Sequence, residues 1–145
     1  MSRLIKPLSL LLGVWMFMFG FLKFFAPFKG WFDIQIQQSH LPSEAVLAGK
    51  LGEMVTGVLF LLPWTRRSLT AKSRDPLLLI ACLILFTQMS VAIYVHLQPE
   101  VPASVLPFGI KPPVIPGVIL LLGLLTASAV WKERHAEKAS DMPTQ

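Results

Sequence analysis

Two residues of this sequence, Glu53 and His96, can exchange protons from positions where a protein seldom places ionisable groups. Glu53 lies in VLAGKLGEMVTGVLFLLPW, Val46 to Trp64, a run long enough to cross a bilayer. A charged side chain at the centre of a membrane helix costs about 2.5 to 3.5 kcal/mol, so it persists where it faces protein, a cavity or a ligand. Lys50, three positions earlier, can meet Glu53 on a helix surface and share that cost. A structural ion pair and a functional site both account for the pairing. His96 has the titration range suited to proton handling, although a hydrogen-bonded role at a helix end competes with that reading. We take Glu53 and His96 as a candidate catalytic, proton-exchanging pair, and Lys23, Lys50, Gln88 and Tyr94 as candidate ligand-binding residues. The pattern offers no metal-ligating set.

The elements that must position these residues are apolar helices. With 54% hydrophobic and 14% charged residues in 145, the chain carries more apolar surface than one small soluble core can bury. Apolar runs at Leu8 to Phe25, Val46 to Trp64, Pro76 to Leu97 and Val114 to Trp131 each match the roughly 20 residues of a membrane span. The expectation is an all-α, integral membrane four-helix bundle over residues 1–131, followed by a charged cytoplasmic tail, 132–145, that is frayed or disordered.

Charge sets the expected orientation. Arg3, Lys6, Arg66, Arg67, Lys72, Arg74, Lys132, Arg134 and Lys138 fall on the side shared by both termini, against Lys23, Lys29, Lys50 and Lys111 on the other. The positive-inside rule then places both termini in the cytoplasm. The net charge of +5 sits beside helix ends rather than along one face, so nucleic acid is not the expected partner; the lipid bilayer is. Cys82 is the single cysteine, which excludes an internal disulfide and a Cys-x-x-Cys redox pair.

Depth along each helix draws the candidates together. Lys23 lies about 24 Å along helix one from Pro7, in the outer third of the membrane, where it either snorkels outward or turns to the pocket. Lys50 and Glu53 come early in helix two at similar depth, and Gln88, Ala92 and His96 share one stripe late in helix three. Gly13 and Gly20 fall on one stripe of helix one, and Gly49, Gly52 and Gly57 thin helix two, so neighbours can approach closely. The segment from Ala26 to Ala45 reads as an interfacial connection holding a solvated His40, and Pro42-Ser43-Glu44 as the start of the next helix. The connection from Pro99 to Pro116, with prolines also at 102, 107, 112 and 113, reads as a stiff apolar loop that lies over the polar layer as a lid, docks a partner or simply packs at the membrane interface.

FGFLKFF with Gly20 and Lys23, GEMVTGVLFLLP with Glu53 and Gly57, and AIYVHL with His96 together resemble the DoxX family of small four-span membrane proteins, over roughly Leu8 to Trp131. The proline-rich LPFGIKPPVIP stretch departs from that pattern. The resemblance implies a bacterial inner-membrane protein serving as an accessory or membrane subunit of a quinone- or thiol-linked redox system, in which the outer pocket would hold a quinone-like or other small apolar ligand; the residues themselves leave the cofactor unknown. No haem-ligating histidine pair or flavin motif accompanies it, so any oxidoreductase activity would depend on a partner. A non-enzymatic assembly protein contacting a membrane or extracytoplasmic partner, a homo-oligomer included, is the alternative. A small proton-coupled exporter built on Glu53 is the third reading.

Overall fold

A computed structural model gives the structure of the chain and describes residues 1, 3–66 and 68–140; Arg67 and the last five tail residues lie outside it. The described residues are helical and include no strand: α1 is Ile5–Leu22, α2 Phe28–Gln38, α3 Glu44–Thr65, α4 Ala71–Leu97 and α5 Val114–Ser140. Four of these, all but α2, are long and apolar enough to cross a membrane. Only 22% to 39% of each apolar window is buried inside the bundle, so most of the apolar surface points outward, as lipid requires and water would penalise. The chain is a multi-pass integral membrane protein.

The long helices pack as an antiparallel ring in the order α1, α3, α4, α5. The α1 to α3 seam is drawn tight by glycine: a Cβ on Gly20 would lie 2.8 Å from the Lys50 carbonyl oxygen, and one on Gly57 would lie 2.5 Å from the Phe17 nitrogen. Gly123 performs the same service between α5 and Leu85 of α4. The core between the helices is built from residues such as Ile5, Leu12, Phe60, Leu78, Leu85 and Val130, with the Cys82 thiol buried among them. Trp64 Nε1 donates to Ser9 Oγ at 3.1 Å, closing α3 on α1 near the end that carries the chain termini.

Three boundaries differ from expectation. The stretch between the first two spans contains a real helix, α2, whose buried residues Phe32 and Ile36 recur at helical spacing. α4 starts at Ala71 rather than Pro76, because Ser73 and Arg74 N–H donate to the Thr70 carbonyl and the Arg74 to Glu133 ion pair holds the first turns against α5. α5 continues past Trp131 to Ser140, so residues 132–140 are helical rather than frayed. Helix-favouring Ala, Glu and Lys residues fill that extension, and the Trp131 and His135 rings pack with centroids 4.6 Å apart.

The Pro99 to Pro116 connection is compact. Two short 3-10 turns, Ala103–Val105 and Pro107–Gly109, carry Val105 and Leu106 into a second apolar cluster with Val95, Val101, Ile34 and Leu41. Lys111 Nζ donates to the carbonyls of Val101, at 2.6 Å, and of Gln98, and Gln35 Nε2 of α2 donates to the Val105 carbonyl. The loop and α2 therefore form one roof across the end of the bundle opposite the termini.

Candidate functional site

Beneath that roof the helices enclose a cavity of about 520 Å³. Its wall is mostly apolar, with Lys23, Glu53, Gln35, Thr87, Gln88 and His96 as the polar groups that interrupt it, contributed by the end of α1, α3, α2 and α4. Such a volume falls in the range of small-molecule sites, in which a few placed polar groups orient an otherwise apolar ligand.

Glu53 is the centre of the arrangement. Lys23 Nζ donates to Glu53 Oε1 at 2.5 Å, and the two side chains are 16% and 13% exposed. The Lys23 ammonium also stands 4.2 Å from the Phe32 ring centroid, in cation–π range. The close contact of α1 and α3 at Gly20 aims this lysine: with the helices pressed together, its stem reaches the carboxylate on the neighbouring turn of α3. Snorkelling outward is therefore not what Lys23 does. Glu53 Oε2 is buried and has no hydrogen-bond partner among the described residues.

Gln88 is held from two sides. Thr56 Oγ1 donates to its Oε1 at 3.2 Å, and its amide nitrogen lies against Gly52, where a Cβ would come within 2.6 Å. His96 lines the cavity with its Nδ1 3.1 Å from the Lys111 carbonyl, which ties the helix end to the roof. Glu53 and His96 thus share the cavity, and each has a partner other than the other.

Two of the proposed ligand-binding residues are placed elsewhere. Lys50 is buried but does not pair with Glu53; its Nζ lies 4.0 Å from Asp33 Oδ1 and 5.3 Å from the Phe24 ring centroid, on the side of α3 turned to α2 and the end of α1. Three residues along the same helix put it near Glu53 in height, but rotation about the axis sends the two side chains to different neighbours. Tyr94 is 44% exposed and donates to the Ser39 carbonyl at 3.2 Å, outside the cavity wall. His40 is exposed, as expected of a loop residue, with Nε2 3.0 Å from Glu100 Oε2.

Sequence reasoning missed Gln35 as a wall residue and Asp33 as the partner of Lys50. The signal is the helical spacing of Phe32, Gln35 and Ile36, within a segment that composition marks only as an interfacial connection. Among the described residues no three His, Cys, Asp or Glu side chains converge as metal ligands would. Compared with known proteins, the chain matches no protein-family model, no curated protein and no solved structure.

Proposed function

We propose that this is a DoxX-like protein of the bacterial inner membrane, with both termini cytoplasmic, that binds a neutral lipophilic small molecule as an accessory or membrane subunit of a redox system. The observation that carries the reading is the 520 Å³ cavity lying directly beside the Lys23 to Glu53 pair. Lys23 and Glu53 cancel in charge and the remaining polar wall groups are Gln35, Gln88, Thr87 and His96, so the lining favours a neutral head group over an anion or a polycation.

A quinone fits this set, because Glu53 Oε2 lacks a partner and the Lys23 ammonium stands next to it. Bound there, a quinone would supply two-electron, two-proton redox chemistry, with electrons exchanged through a partner protein. The ammonium of Lys23 serves a carbonyl oxygen as donor, Glu53 Oε2 serves a hydroxyl as acceptor, and Glu53 and His96 are the groups able to hold a proton on the cavity wall. Purification from membranes by gentle extraction should bring a lipophilic small molecule with the wild-type protein and lose it in Glu53→Gln. No quinone in the wild-type extract, together with unchanged quinone reduction in membranes lacking the protein, would overturn the proposal.

One observation favours assembly as a second reading. Phe108, in the left-handed region at φ 55°, is 77% exposed at the tip of the loop, beside the exposed Ile110. An apolar tip on a stiff loop suits a protein partner. Cross-linking from Phe108 should then capture one specific membrane protein, and Glu53→Gln should change complex assembly rather than turnover.

A further inference from the structure

We infer that the cavity takes a membrane-dissolved amphiphile, a compact neutral head on a single apolar chain, admitted sideways from the bilayer through the gap between α3 and α4. The inference rests on the binding role proposed above and concerns the route and the class of ligand.

The roof is shut. Phe32, Gln35 and Ile36 of α2 and Pro107 of the loop form the wall on that side; none of the four is exposed, and the Gln35 bond to the Val105 carbonyl joins the two segments. Towards the termini the wall is closed by the buried Met16, Met89 and Ile119. The wall residues that are themselves exposed are Ala48 of α3 and Thr87 and Val91 of α4. All three occupy the facing edges of the same two helices, so the cavity reaches the surface at their seam.

That seam opens onto lipid rather than water. Ala48 is flanked by the exposed Leu47 and Leu51, and Thr87 by the exposed Leu83 and Val91. Thr87 donates its hydroxyl hydrogen to the Leu83 carbonyl at 3.2 Å, so its donor is already occupied. Gln88 crosses from α4 to α3 at Gly52; between that crossing and the roof only Ala45 and Ala48 line the α3 edge and Ala92 the α4 side, which leaves a slot framed by small side chains. Inside the slot stand the Lys23 to Glu53 pair and Gln88, the groups that would hold a polar head while a chain lies out between the helices. A water-borne ligand would have to pass the joined roof, whereas a bilayer-borne one meets an opening at its own depth.

The test uses the full chain reconstituted in phosphatidylcholine vesicles, with decylubiquinone as the chain-bearing probe, ubiquinone-0 as the same head without a chain, and tryptophan quenching as the readout, since Trp15 lines the cavity. Ala48→Phe and Val91→Phe should weaken decylubiquinone affinity roughly tenfold or more, because overpacking the slot displaces the chain that lies in it, while ubiquinone-0, which has no chain but enters by the same slot, should associate more slowly with its affinity changed by less than about twofold. Leu51→Phe, which adds bulk to the same exposed face outside the wall, should behave as wild type. Unchanged decylubiquinone binding in both slot variants, equal weakening of both probes, or equal weakening in Leu51→Phe would overturn lateral admission while leaving the binding role standing. Wild-type protein that binds neither probe would instead overturn the binding role, and lateral admission with it.

Discussion

The bundle buries ion pairs in two layers: in one, both partners line the cavity under the roof, whereas in the other only Glu133 borders a groove, at the surface of α5. At the termini end Arg74 Nε donates to Asp75 Oδ1 at 2.8 Å, with Arg74 Nη2 2.6 Å from the same oxygen and 3.8 Å from Glu133 Oε1 of α5, whose carboxylate also lies 3.2 Å from the Met1 amino group. At the loop end Lys23 and Glu53 pair at 2.5 Å beside the 520 Å³ cavity. Among the described residues, both layers bury a carboxylate oxygen without a hydrogen-bond partner, Asp75 Oδ2 in one and Glu53 Oε2 in the other. Neither a buried charge nor an orphan oxygen distinguishes a candidate site from a structural clamp here. What separates them is room: Glu53 lines the cavity, whereas Asp75, 2% exposed, is packed in where α4 begins.

That contrast can be broken by substitution. The largest loss of stability is expected for Arg74→Met, which strips a fully buried carboxylate of its cation at a cost of about 3–5 kcal/mol, read by thermal unfolding in detergent. Quinone quenching by the protein that remains folded should be unchanged; its disappearance would mean the two layers act as one. Glu53→Gln should cost less, about 1–3 kcal/mol, because its neighbourhood is partly open, yet it should abolish ligand retention. Lys111→Met removes donors from two loop carbonyls and should cost about 1–2 kcal/mol, with faster amide exchange confined to residues 98–111. Smallest of all, Tyr94→Phe loses one bond on an exposed side chain, about 0.5–1 kcal/mol, and should leave probe binding as it is.

Much of this was legible in the sequence because depth in a membrane helix follows from counting residues. The four spans, the glycine seams and the shared height of Lys23, Glu53, Gln88 and His96 all come from that count. Rotation does not. Lys50 sits at the right height and turns to Asp33, and Tyr94 turns to Ser39, because packing against α2 fixes those directions and the sequence shows that segment only as an interfacial connection. The basic residues before Pro76 read as a topology signal, whereas Arg74 and Asp75 lie in the first turns of α4, where Arg74 pairs with Asp75 and reaches Glu133 of α5, a pairing of distant segments that no local pattern announces.

Cys82, the chain's single thiol, is 1% exposed within the core. A maleimide dye added to the folded protein finds nothing to modify until the helices part, so the rate of labelling clocks their separation. The native chain thereby carries its own timer, by which every variant can be ranked in a lipid environment without engineering a reporter into it.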